Sequence, residues 1–514
     1  MKDIRKVNIG MFYLCILFMI VSCTKEKAFE HPYAGLNAEY FDSYSDKSMK
    51  INSQEILGNI LKIVKTDYDL LKADKYTRAH YKAFSESPSA FLWINRYGVS
   101  SKADTLLACI DSCERDGFEK KQFRVEEIRR DLKTVRALSF DKEGNNSTSW
   151  VLARLEYNLT KAFLRYAVGQ RYGFLNPYDL FNRLDVNDSD SVRVTYRQLF
   201  DDSVHVSGKQ TYYGAINAIK HDSVGIYLAQ AMKHSPMYNK IKDGLKDDSL
   251  DRQKVLINLE RARWKPNDAP HLNDEYIIVN IPAFHLWGMR DNKLAVDMKI
   301  GCGARKTKTP LLHSKIKRID INPQWTIPWS IRKKEINGRG GDAAYFARNH
   351  YFARNKKTGE KVSGAAITNS IIMSSEWSIV QESGEGNSLG RIIFRFDNNF
   401  SIYLHDTSSR GVFSRSVRSV SHGCVRVDKP YELACFALRQ NDTELTEKIK
   451  YSIEADLASP TLDRRKMVGS QKVTPQIPIF IVYYTLFPVP GGNLQNYPDI
   501  YEYDSVIAQA LRAI

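Results

Sequence analysis

The sequence predicts a multidomain α+β protein, with a mainly helical N-terminal domain followed by a β-rich C-terminal one. Three observations predict it. Up to about residue 255, apolar residues recur at three- and four-residue spacing, the mark of helices packing one face. After His271 the runs shorten and fill with Ile, Val, Phe and Tyr between Gly, Asn and Asp, the mark of strands. With 514 residues, 43% hydrophobic and 26% charged, the chain has globular composition and enough material for more than one core.

The chain opens with MKDIRKVNIGMFYLCILFMIVSC, a basic head (Lys2, Arg5, Lys6) and an apolar run over residues 11–21. That run is short for a membrane span and reads as an export signal. Ile20-Val21-Ser22-Cys23 resembles a bacterial lipobox, which implies cleavage before Cys23 and lipidation of its sulfur; the alternative is an uncut anchor helix. The expected layout is a lipoprotein signal peptide over 1–22 and a polar tether over 23–50. A helical domain follows over 51–255, then a β-rich domain over 256–514. The folded part is expected in the periplasm, lipid-anchored to the cell-envelope membrane.

Formal net charge is +16, and it becomes +14 once Lys2, Asp3, Arg5 and Lys6 leave with the signal. For an exported chain this favours anionic surfaces or polymers, cell-wall material and membrane headgroups included, although a solvated face explains most of the lysines. No nucleic-acid motif is present, so nucleic acid is not an expected partner.

ADTLLACIDSCERDGF and WVLARLEYNLTKAFLRYAVGQ are the clearest helices, and Gly173 and Asn176-Pro177 stop the second. INLERARWKP is a short helix ended by Pro266. YIIVNIPAFHLWGM, KLAVDMKIG, GRIIFRF, FSIYLHD and IPIFIVYYTLFPVPGG are the strand candidates. Between them, about 331–364 is polar and aromatic and longer than an ordinary connection, so it reads as a lid-like insertion or a disordered loop.

Seven cysteines stand at 15, 23, 109, 113, 302, 424 and 435. Cys15 leaves with the signal and Cys23 takes lipid, so five thiols remain and at least one is free in an oxidising compartment. Cys109 and Cys113 are four apart in a helical run, poor geometry for a disulfide, and read as structural. Cys424 is the thiol expected free. It ends Ser421-His422-Gly423-Cys424, lies nineteen positions after His405 (424 − 405), and has Arg410, Arg415, Arg418 and Arg426 around it. Such a polar, cationic setting lowers a thiol pKa.

Three readings compete for His405, His422 and Cys424. Zinc needs about four ligands in close pairs, and H-x16-H-x-C has no such pairing, so no metal is expected. Two packed histidines with a buried thiol are the bland reading. The third is a thiol nucleophile with a histidine base held by a third group, with Gly423 leaving room for a carbonyl to approach backbone N–H donors.

His405 followed by Ser421-His422-Gly423-Cys424 resembles the motif of the L,D-transpeptidases, the YkuD-type catalytic domain. The resemblance extends through NLERARWKP, YIIVNIPAFHLW, NSLGRIIFRF, YLHDTSS, FSRSVRSVSHGCVRV and the tail over residues 475–504. FLWINRYGVSSKADTLLACI and LTKAFLRYAVG resemble the scaffold domain of the large periplasmic members. Two departures stand out. KHSPMYNKIKDGL runs almost directly into the NLERARW helix, where large relatives often insert a peptidoglycan-binding module, and Arg426 stands where many smaller members carry Asn.

The resemblance implies a thioester mechanism without metal or organic cofactor. Cys424, deprotonated by His405, attacks a peptidoglycan stem tetrapeptide at its third residue and releases D-alanine. A second stem's amine then resolves the thioester into a 3→3 cross-link. N–H groups around Gly423 and Cys424 stabilise the oxyanion, and His422 shapes the acyl site or braces the turn. Ser421 is a hydrogen-bonding brace, Arg426 pairs with a substrate carboxylate, the carbonyl or carboxylate of Asp406 orients His405, and Tyr403 and Trp325 line the groove. Carbapenems are expected to acylate Cys424, and cell-wall synthesis proteins are possible partners. Water in place of the amine gives an L,D-carboxypeptidase or murein hydrolase, and a decayed site gives a peptidoglycan-binding scaffold.

Overall fold

The structure, a computed structural model, describes residues 53–86, 91–95, 98–187 and 194–513. The expected signal peptide, Cys23 and tether lie outside them. The chain packs as two compact units that interleave along the sequence. One gathers residues up to 108, 123–164 and 215–225; the other gathers 109–122, 165–214 and 226–514.

The first unit is helical. Helices Ser53–Thr66, Lys72–Glu86 and Val125–Arg136 are amphipathic, the last burying Val125, Ile128, Leu132 and Val135 at the spacing of one helix face. The 148–164 part of helix Thr148–Tyr172 is buried on nearly every side, polar residues such as Asn158 and Lys161 included. Its one interior acid, Glu156, accepts from the backbone N–H groups of Leu92 (2.6 Å) and Trp93 (2.9 Å) and from Tyr81 Oη (3.0 Å). Burial pushes its carboxyl up to about 7 against those hydrogen bonds.

The second unit is built on a β-sheet that closes on itself. The strands of this unit include β1 (Glu275–Asn280), β2 (His285–Arg290), β3 (Lys293–Gly303), β4 (Leu311–Ile321), β5 (Trp325–Thr326), β6 (Tyr351–Asn355), β7 (Lys361–Ser363), β8 (Trp377–Gln381), β9 (Ile392–Phe396), β10 (Leu404–His405), β11 (Ser419–Ser421), β12 (Val425–Val427) and β13 (Gln471–Val482). The ladder runs β9-β10-β12-β3-β2-β1-β13-β4, and β9 pairs again with β4, which removes the open edges. β1 and β13 lie next to each other and run parallel; YIIVN and PIFIV read as continuous apolar runs because most of their side chains are buried. The core holds Ile277, Val279, Ile300, Leu404, Val425, Val427 and Ile479, with Leu433 and Phe436 from helix Pro430–Leu438 among the buried residues.

The insertion is an ordered element, wider than the 331–364 read from the sequence. β5, β8, β6 and β7 form a separate antiparallel sheet in that order, over a small core of Ile331, Ile336, Phe346, Ala353, Ile367, Ile372 and Ile379. Arg332 ties it together, its guanidinium donating to the carbonyls of Trp377 (2.8 Å) and Ser374 (3.0 Å). The strands are short and carry Arg, Lys and Asn, which hid their alternation.

Candidate active site

Register places Cys424 and His405 on neighbouring strands. β10 and β12 run parallel with Leu404 opposite Val425 and His405 opposite Arg426, and the Val425 N–H donates to the Tyr403 carbonyl at 3.0 Å. Side chains alternate along a strand, so Tyr403, His405, Cys424 and Arg426 share one face. Leu404 and Val425, both fully buried, share the other. Sixteen residues separate the two histidines in sequence, and the parallel pairing brings the thiol and the base to neighbouring strands.

The turn before Cys424 is fastened from several sides. β11 pairs parallel to the end of β3, Ser421 opposite Gly303, and the chain then reverses into β12, antiparallel to the same strand. The reversal needs φ +124° at Gly423, a value L side chains rarely adopt; the space beside it is ordinary, so conformation rather than room demands the glycine. Gly303 is needed for the other reason, since a Cβ there would sit 2.1 Å from the Thr307 carbonyl oxygen. Ser421 Oγ donates to the Cys424 carbonyl at 2.5 Å and accepts from the Gly423 N–H at 3.1 Å. Thr307 Oγ1 donates to the Ser421 carbonyl (2.7 Å) and Thr309 Oγ1 to the Gly423 carbonyl (2.8 Å). Tyr501 Oη in turn accepts from the Thr309 N–H at 3.1 Å and donates to the Gly303 carbonyl at 2.6 Å.

This fastening narrows the oxyanion donors. The Gly423 N–H is engaged by Ser421, whereas among the described residues the Cys424 N–H has no hydrogen-bond partner. One backbone donor is therefore open where the sequence suggested two.

His405 is 4% exposed, and its Nδ1 lies 2.5 Å from the Asp406 carbonyl oxygen. A carbonyl only accepts, so Nδ1 carries the proton and Nε2 keeps the lone pair of a base. The orienting group is the backbone of Asp406. Its carboxylate accepts from the Arg391 N–H (2.8 Å) and pairs with Arg410 (3.2 Å). Burial, with Arg426 beside it, depresses the His405 imidazole to about 4, while the carbonyls of Asp406 and Leu389 pull the other way.

The thiol runs against the sequence expectation. Burial raises the Cys424 pKa, and the backbone hydrogen bond with Tyr403 and the Arg426 guanidinium only partly offset it. The arginines named from sequence are largely spent elsewhere. Arg410 pairs with Asp406 and Asp428, and Arg418 is buried with Nε donating to the Ile300 carbonyl (3.0 Å) and Nη2 to that of Phe284 (3.0 Å). Arg426 alone of the four is coupled to the sulfur, and its own Nε is buried without a partner. The resting site is a neutral thiol beside a neutral imidazole.

His422 contacts the insertion. Its side chain is 58% exposed and its Nε2 stands 2.8 Å from Glu335 Oε1, so the nucleophile turn touches the insertion. Tyr403 is half-buried with Arg395 over its ring at 5.1 Å, and Trp325 packs against the insertion core rather than free in a groove. The five described cysteines are free. Sequence reasoning missed Thr307, Thr309, Tyr501 and Glu335; KTKTP has no local signature, and Ser421 lies 114 positions after Thr307.

Comparison with known proteins falls in line with this architecture. Residues 274–443 match the L,D-transpeptidase catalytic domain model (YkuD), and residues 75–245 match the Scaffold domain model. The chain carries a YkuD-type L,D-transpeptidase catalytic domain behind a Scaffold domain. A Haemophilus influenzae protein assigned as an L,D-transpeptidase is 31% identical over 256 residues, covering 50% of this chain and 49% of that protein. The chain thus spans about half the length of that curated relative. Among solved structures, an L,D-transpeptidase from Mycobacterium smegmatis is 12% identical with a TM-score of 0.20, covering 41% of this chain and 58% of its own. A cysteine-to-serine mutant of the Enterococcus faecium L,D-transpeptidase is 12% identical with a TM-score of 0.19, covering 59% and 75%. At those scores the superpositions carry no weight beside the strand order.

Proposed function

We propose that the protein is an L,D-transpeptidase that forms 3→3 cross-links between peptidoglycan stem peptides through a thioester on Cys424. The observation that carries this reading is the parallel register of β10 and β12, with His405 held Nε2-outward by the Asp406 carbonyl on the face that bears Cys424. Among the described residues the sulfur makes no hydrogen bond to the ring, and such contacts commonly close only when substrate is bound.

The chemistry follows from a neutral pair. As Cys424 Sγ attacks the carbonyl of the donor's third residue, His405 Nε2 takes the thiol proton. The carbonyl oxygen becomes an oxyanion at the Cys424 N–H, a contribution of about 3 kcal/mol per donor in comparable sites. Collapse breaks the amide, and His405 returns the proton to the departing D-alanine amine, leaving the thioester. The side-chain amine of a second stem attacks that thioester, the new amide forms, and the thiolate leaves and is reprotonated. The buried, unpartnered Nε of Arg426 on the same face supports a role in pairing with a substrate carboxylate. A carbapenem, with its strained amide, acylates the same sulfur. The lipobox-like Ile20–Cys23 segment supports anchoring at the cell envelope, where these substrates lie.

The test is product analysis by mass after incubation with purified disaccharide-tetrapeptide. A 3→3 dimer from wild type and none from Cys424→Ala is the expected result. Tripeptide without dimer would replace transfer by hydrolysis, and no turnover by wild type would leave a binding scaffold.

A further inference from the structure

A cavity of about 640 Å³ lies in the second unit, away from the Cys424 turn. Ile278 of β1, Met289 of β2, Leu312 of β4 and Phe480 of β13 line it, and Met237 and Phe487 from the covering segments add to the apolar lining. Packed interiors do not leave spaces of this size, whereas pockets that bury a small organic ligand do.

Cationic side chains outnumber acidic ones in the lining. Lys233 and Lys240, both exposed, and Lys265, half-buried, are among its lining residues. Among the described residues, none of the three has a carboxylate within ion-pair distance. The lining contains a single carboxyl, Asp202, which burial pushes up to about 6. Leu272, 64% exposed, belongs to the same lining, so apolar surface reaches solvent beside the cationic groups.

A second observation orients the ligand. Arg261 also lines the cavity and is 3% exposed, yet its Nε and Nη2 have no hydrogen-bond acceptor, while Nη1 is ion-paired to Asp504 at 2.5 Å. A guanidinium already neutralised by Asp504 does not repay the desolvation of a second buried carboxylate. The anionic end of the ligand therefore belongs with the exposed lysines.

We propose that this cavity binds a single-chain anionic amphiphile, its apolar chain over β1 and β13 and its carboxylate among Lys233, Lys240 and Lys265. The site is independent of the acyl-transfer reading, so the failure of either leaves the other standing.

The test is titration calorimetry of the purified full chain with dodecanoate, dodecanol and dodecyltrimethylammonium, each below its micellar concentration. One saturable site for dodecanoate is expected, at least tenfold weaker binding of the alcohol, and none of the cation. Lys233→Glu/Lys240→Glu, both at exposed positions, is expected to weaken dodecanoate at least tenfold with an unchanged unfolding midpoint, and Cys424→Ala to bind as wild type does. The absence of a saturable site, equal binding of the alcohol, or undiminished binding by the double variant would each overturn the proposal. So would binding to anionic phospholipid vesicles without binding of free dodecanoate.

Discussion

His405 and Cys424 are both neutral at rest, and this sets how the site responds to pH. His405 must be unprotonated to act as a base, and its imidazole is depressed to about 4 by burial and Arg426. The acid limb of kcat/KM is therefore expected near pH 4, well below the ordinary histidine value of about 6.5. An acid limb at 6 to 7 would mean that the imidazole is not buried as described. His405→Gln is expected to lower kcat by roughly 10²- to 10⁴-fold with little change in stability, read by single-turnover kinetics. Gly423→Ala is expected to cost about 1–2 kcal/mol in urea unfolding and to abolish turnover, because a φ of +124° strains an L residue and the relaxed turn moves the Cys424 N–H. The placement of Cys424 across neighbouring strands from His405 was legible in SHGC and the upstream histidine. The raised pKa of Cys424 was not, because the neighbouring arginines had to be seen spending their charge on Asp406, Asp428 and two carbonyls.

At the scale of elements, the strands around the site were legible where burial made them continuous apolar runs, as in YIIVN and IPIFIV. The insertion was legible only as a polar stretch. Its own sheet depends on long-range pairing of Trp325, Tyr351 and Gln381, which no local pattern announces. Its link to the reactive turn is His422–Glu335 at 2.8 Å, with both side chains more than half exposed. An exposed pair adds about 0–1 kcal/mol, so Glu335→Gln is expected to leave the unfolding midpoint nearly unchanged. A rise in KM with kcat retained is the expected kinetic signature if the insertion helps to hold substrate; unchanged KM and kcat would make the contact incidental. In the helical unit, Glu156→Ala removes the acceptor of two buried backbone N–H groups, whereas Tyr81 keeps Thr160 and the residue-156 carbonyl. A loss of about 3 kcal/mol in urea unfolding is expected, since buried donors left without acceptors cost more than the bonds themselves contributed.

For the whole molecule, the division into a helical half and a β-rich half was readable from the change of apolar period near residue 271. The interleaving of the two compact units was not, because helices over 102–111, 148–172 and 209–220 each run across a boundary between them. Closure of the strand ladder by β9 on β4 was equally hidden, and it brings the motif at 405, the turn at 421–424 and the tail tyrosine at 501 into one network. The central claim is that this network presents Cys424 as an acylating nucleophile. The most direct measurement is the intact mass of the protein after brief exposure to a stem-tetrapeptide donor, followed by peptide mapping. A covalent adduct equal to the donor less D-alanine, on Cys424 and absent from Cys424→Ala, is the expected result. Donor turnover without an adduct on Cys424, or an adduct that survives in Cys424→Ala, would contradict it.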